Sequence, residues 1–137
     1  MTDAGPHASA PAKPEQPPRS LVGPALIGVC VLHTVVAVVV GGSELTDAAR
    51  QGWAGAFTGE RAVVQWFLMT GLVGLVAGVA ITVLERAGPL PWSVSLTLLV
   101  VALIGVSMAP TSGFVLVGLV GLLAVIRSAS TRRRWGG

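Results

Sequence analysis

The stretch LVGPALIGVCVLHTVVAVVV, residues 21–40, decides the fold. It carries no Asp, Glu, Lys or Arg. Coiled as a helix, its 20 residues cover about 30 Å, the thickness of a bilayer hydrocarbon core. A cleaved signal peptide is the competing reading. Its apolar region would be only about 7–15 residues and would end at a small-residue cleavage site. No A-x-A follows Val40, so the segment reads as an uncleaved span. Cys30 lies mid-span behind Val29, where a lipoprotein cysteine would need a small residue.

Working outward, three further apolar segments follow, at 62–84, 92–109 and 113–126. The second ends at Glu85-Arg86, and Ala87-Gly88-Pro89-Leu90-Pro91 makes a turn. Pro91 suits the first turn of the next helix, where its missing N–H costs little. Pro110-Thr111-Ser112-Gly113 interrupts the remainder. A continuous helix over 92–126 would run about 52 Å, far beyond the core, so a hairpin is expected. The last span is short, about 21 Å, and Arg127 must snorkel or the bilayer must thin. Between the first two spans, Ser43 is placed to cap a short interfacial helix, with an irregular loop as the alternative. There Leu45, Ala48, Ala49, Gly52, Trp53, Ala56 and Phe57 recur at helical spacing, opposite Glu44, Asp47, Arg50 and Gln51. Trp53 would sit at headgroup depth.

The expected architecture is therefore all-α: a polytopic membrane protein, a four-helix transmembrane bundle over residues 21–127. A Pro-rich tail over 1–20, holding five of the nine prolines, is expected to be disordered, and a basic tail occupies 128–137. Composition agrees. Hydrophobic residues make up 53% and charged residues 11%, against roughly 25% charged in soluble domains. The net charge of +3 belongs to span flanks, which argues for orientation and anionic lipid rather than nucleic acid. Lys13, Arg19, Arg86, Arg127 and Arg132–Arg134 fall on one side, Arg50 and Arg61 on the other. The positive-inside rule then puts both ends in the cytoplasm, N-in and C-in. The excess of Arg over Lys and the Ala, Val and Gly content point to a GC-rich bacterial genome, and the expected location is a bacterial inner (plasma) membrane.

Between lipid-immersed helices, small residues that permit close approach do the packing. Gly71, Gly74, Gly78 and Thr82 line one face of the second span, with Gly74 and Gly78 forming a GxxxG. Ala102, Gly105 and Ala109 do so on the third, and Gly118 and Gly121 on the fourth. These faces are expected to pack one bundle, or to meet another membrane protein or a second copy of the chain.

The spans contain no acidic residue, which argues against proton- or cation-coupled transport. A small multidrug transporter of this size would carry an acid in its first span. One cysteine excludes an intrachain disulfide and any CxxC redox or zinc motif. His33 and Cys30 are too few for a metal site. No GxSxG, Walker loop, HExxH or GxGxxG is present, and no cofactor is expected.

His33 lies about 10 Å below the outer edge of its span. On the antiparallel second span similar depth is reached near Met69 and Thr70, with Gln65 and Trp66 one turn higher, beneath a loop bearing Glu44, Asp47 and Glu60. Two readings follow. His33, Gln65, Trp66 and Thr70 could line an outer-half pocket for a lipid-soluble molecule of the quinone or isoprenoid type. Alternatively, a neutral His33 hydrogen-bonds across helices, to Gln65 or Thr70 for instance, and fixes their register.

Leu32-His33, Gln65-Trp66-Phe67 with Gly71, Leu84-Glu85-Arg86 with Pro91, and Pro110-Thr111-Ser112-Gly113-Phe114 together give a family likeness over about residues 21–127. The chain resembles a family of small four-span bacterial membrane proteins, frequent in actinobacteria, known as a domain of unknown function. That family shows a Gly-His pair and a Phe-Trp pair, where this chain has Leu32-His33 and Trp66-Phe67. It also shows Pro-x-Ser-Gly, kept here at 110–113. The resemblance implies the four-span topology and no activity. The leading expectation is a structural or partner-binding membrane protein; the other is the lipid-soluble ligand pocket around His33.

Overall fold

The first helix starts where Leu21-Val22-Gly23-Pro24 meets a carboxylate brought from elsewhere in the chain. A computed structural model describes residues 19–109 and 112–135, with the side chains of 131–135 excepted. Most of the expected N-terminal tail, and Pro110-Thr111, lie outside the described residues. The described chain is all-α. Its helices are α1 (Val22–Val40), α2 (Gly42–Arg50), α3 (Arg61–Ala87), α4 (Trp92–Met108) and α5 (Phe114–Trp135). Two of them, α1 and α3, are long and apolar enough to cross a membrane. The apolar helix α4 and the apolar part of α5, Phe114–Ser130, have 17 residues each, about 26 Å of helix.

Helix α1 runs antiparallel to α3, and the seam is built on glycine. A methyl group added at Gly78 would lie 2.7 Å from Ile27 Cγ1 and 3.1 Å from the Ile27 nitrogen. Gly74 faces Cys30, Gly71 faces Thr34, and Gly23 on α1 faces Thr82. The α4–α5 hairpin repeats the device. Gly105 lies under the Phe114 ring, Gly118 opposite Ala102, and Gly121 against the Leu99 backbone. Helices α1 and α5 join the two pairs, and α3 and α4 make no close backbone approach among the described residues. The resulting order is α3, α1, α5, α4. Side chains from all four helices still share one cluster around Val22, Leu26, Cys30, Ile81, Val120 and Ala124.

The start of α1 leaves no amide unsatisfied. Glu85, near the end of α3, is only 6% exposed. Its carboxylate accepts the N–H groups of Leu21 (3.3 Å), Val22 (3.2 Å) and Gly23 (2.9 Å). Pro24 has no N–H, and the Ala25 amide begins the helical ladder at Leu21 O, 3.0 Å away. A helix N-terminus carries unpaired amides and partial positive charge, so an anion there is favoured on both counts. Across α4 and α5, Ser95 and Ser128 hydroxyls meet at 2.8 Å, and Ser128 donates to Leu90 O at 3.3 Å. With its one hydrogen so directed, Ser128 takes the proton of Ser95.

The structure differs from the sequence expectation at two places. Helix α2 ends at Arg50 rather than reaching Phe57. Gly52 (φ 87°), Trp53 (φ 66°) and Gly55 (φ 75°) take left-handed backbone, which ends a right-handed helix. Ser43 lies inside α2 and caps nothing; it donates to Glu44 Oε2 at 2.8 Å and holds that carboxyl below its ordinary pKa range. Helix α5 does not stop at Ile126 but continues through Arg127 to Trp135, since no residue there breaks a helix.

The α1–α3 seam generates a paired prediction. Gly78→Leu should destabilise the protein by about 1–3 kcal/mol through overpacking. Gly28→Leu, at a glycine with nothing within 4 Å, should leave it nearly unchanged. Thermal unfolding in detergent compares the two; equal melting temperatures would mean the seam is not formed.

Candidate functional site

In apolar helices a hydroxyl without a partner is costly, and most are bonded to their own helix. Thr34 donates to Cys30 O, Thr70 to Trp66 O, Thr82 to Gly78 O and Ser107 to Ile104 O. Imidazole cannot close such a local bond as readily, and His33 instead reaches across to α3. Its Nε2 lies 3.1 Å from Phe67 O, and its ring stacks on the Phe67 ring at 3.9 Å between centroids and 26° between planes. A carbonyl only accepts, so Nε2 carries the proton. In the neutral ring Nδ1 is then the acceptor. The Nδ1 edge faces Gly113, where an added methyl would lie 3.4 Å away.

His33 therefore stands where three segments meet: mid-α1, the first half of α3, and the start of α5. A cavity of about 30 Å³ opens beside it, lined by Cys30, Thr70, Gly71, Gly113 and Phe114 among others. That is room for about one water, far below the roughly 300–1,000 Å³ of small-molecule sites.

The sequence-predicted pocket residues do not share one cavity. His33 and Thr70 line the small one. Gln65 lines a different groove of about 260 Å³, with Trp53, Phe57, Leu68 and Met69. There the Trp53 and Phe57 rings meet edge to face at 5.2 Å. Trp66 is 71% exposed and lines neither. The acceptor for His33 is the Phe67 carbonyl, not the side chain of Gln65 or Thr70. Sequence reasoning missed it because a backbone carbonyl carries no residue signature. The flat ring of Phe67, between the two residues named, was the available signal.

Sequence reasoning also missed Glu85. It was placed just beyond the second span, whereas α3 extends to Ala87 and buries it. No group of three or more His, Cys, Asp or Glu able to hold a metal occurs among the described residues.

The segments that converge on His33 are among those that carried the family likeness: Leu32-His33, Trp66-Phe67 and Ser112-Gly113. A family model matches residues 17–132. The chain belongs to DUF6463, a family of unknown function. Neither the curated proteins nor the solved structures compared with it give a match. In this DUF6463 member one half of the bundle is thus tied by one imidazole, and the other by Glu85 and the Ser95–Ser128 pair.

Two measurements follow for His33. The ¹⁵N shifts of its neutral ring should show Nε2 protonated and Nδ1 bare; the opposite tautomer would contradict the bond to Phe67. His33→Gln retains a donor, and interhelical hydrogen bonds in membranes average about 0.6 kcal/mol with maxima near 1.7. The variant should stay folded with a loss below about 2 kcal/mol.

Proposed function

We propose that this DUF6463 protein is a four-span protein of a bacterial inner membrane, N-in and C-in, with a structural or partner-binding role. The observation that carries this reading is the distribution of apolar surface. Only 28% of the most apolar stretch of α1, and 17% of that of α3, is buried. A core helix of a soluble protein would be mostly covered. Here Val35, Val76, Val101 and Leu119, one on each long helix, are all at least half exposed. Lipid is the solvent that tolerates such faces, and glycine seams are how helices associate within it. Helices α4 and α5 span with a modest mismatch met by snorkelling and local thinning.

The partner-binding reading draws on the closed interior. The His33 cavity takes about one water, and none of the buried side-chain polar atoms described lacks a partner. The exposed apolar outer surface is suited to another membrane protein or a second copy. A second reading, binding or conversion of a quinone- or isoprenoid-type molecule, is favoured by the groove at Gln65, Trp53 and Met69 rather than by His33.

Single-cysteine labelling in a Cys30-free background tests the topology. Arg50→Cys should react from outside intact cells, and Arg86→Cys and Ser130→Cys only after permeabilisation; outside labelling at 86 would overturn the four-span arrangement. Native mass spectrometry of the extracted protein tests the role. A complex with a second copy or another protein is expected, whereas a monomer carrying a quinone-sized adduct would transfer the assignment to the second reading.

A further inference from the structure

The cavity beside His33 measures about 30 Å³, and three polar side chains reach it: Cys30 and His33 of α1 and Thr70 of α3. The start of α5 closes it with Gly113 and Phe114. What each polar group can still do is set by the bonds it already makes. His33 Nε2 gives its proton to Phe67 O, so Nδ1 has a lone pair and no hydrogen. Stacking on Phe67 holds the ring, and with it the direction of that lone pair. The Thr70 hydroxyl gives its one hydrogen to Trp66 O, 2.8 Å away, and has lone pairs left to offer. The Cys30 thiol makes no hydrogen bond among the described residues and keeps a weak donor. Nδ1 is likewise without a protein partner among the described residues. Yet His33 is half-buried, and no buried polar atom of the described side chains lacks a bond. Nδ1 therefore faces space that a water-sized sphere enters.

We infer that this cavity holds one water molecule, which donates to His33 Nδ1 and to Thr70 Oγ1 and accepts from the Cys30 thiol. The count of donors selects the occupant. Two of the three groups can only accept, so a ligand that satisfies both must offer two hydrogens from one small centre. Water does so, whereas an alcohol offers one. An ammonium ion offers more, but it would bring a charge to a cavity with no acidic residue on its wall. The volume agrees: a water needs at least about 10–15 Å³ of such space, and buried waters typically make about three hydrogen bonds. The water joins α1 to α3 beside the Phe67 bond, and Gly113 brings α5 over it. It also gives the Nδ1 lone pair a donor, which favours the tautomer that the Phe67 bond requires.

The test is water-selective NMR on the full chain in deuterated detergent, with ¹⁵N in the histidine rings. A cross-relaxation peak between water and the His33 ring Hε1 is expected, with the sign that a long-lived bound water gives. The Nδ1 resonance should lie upfield of an unbonded ring nitrogen, as that of a hydrogen-bonded acceptor does. Gly113→Ala adds a methyl 3.4 Å from Nδ1 and should displace the water. The peak should then be lost and Nδ1 should move downfield, while the Nε2 proton stays. Thr70→Val keeps the shape of the wall and removes one acceptor, and it serves where the alanine variant unfolds. It should weaken the same peak. The absence of a water peak at His33 in the native chain, or a peak undiminished in either folded variant, would overturn the bound water.

Discussion

The contact on which the rest of the structure depends is the backbone approach of α1 to α3. It is possible only because Gly71, Gly74 and Gly78 face α1 and Gly23 faces α3. Lipid tails are as apolar as leucine, so helices in a bilayer gain little from burying apolar side chains. Dispersion between closely fitted backbones takes that role, and each added carbon at the seam subtracts from it. The approach has further consequences. It brings Glu85 to the α1 amides at one end and His33 to the Phe67 carbonyl towards the other. Neither bond would form if bulky residues held the helices apart.

The two bonds differ in kind. Glu85 offers a carboxylate to a helix terminus whose amides have no partner of their own, so charge, dipole and hydrogen bonding point the same way. His33 adds a second donor to the Phe67 carbonyl, which is already part of a helix, and its stacked ring contributes contact area. The first fixes where α1 starts; the second fixes how α1 sits along α3. Between them, hydroxyls such as Thr34 and Thr82 are bonded to their own helices and do not compete.

Much of this was legible in the sequence. Four apolar runs, broken at Pro89-Leu90-Pro91 and at Pro110 among other places, located the long helices. Glycine and alanine at helical spacing marked the faces where Gly74, Gly78, Gly105, Gly118 and Gly121 are found. The illegible parts share a cause: each depends on partners that do not advertise themselves. Glu85 looks like an ordinary charged stop signal until α3 extends past it and the α1 amides arrive. Phe67 serves through its carbonyl and its ring. The early end of α2 depends on left-handed backbone at Trp53, a residue that seldom adopts it. The Ser95–Ser128 pair requires the register of the α4–α5 hairpin, which residue types alone do not set.

The central claim is that a glycine-seamed bundle presents the outer faces of four helices to lipid. Spin labels at Val35, Val76, Val101 and Leu119 in reconstituted vesicles test it most directly, one site on each long helix. The account predicts that all four are relaxed by oxygen and shielded from a water-soluble nickel chelate. Strong relaxation by the nickel chelate at Val101 or Leu119 would contradict it, for the α4–α5 hairpin would then lie in water and only α1 and α3 would remain to span the membrane.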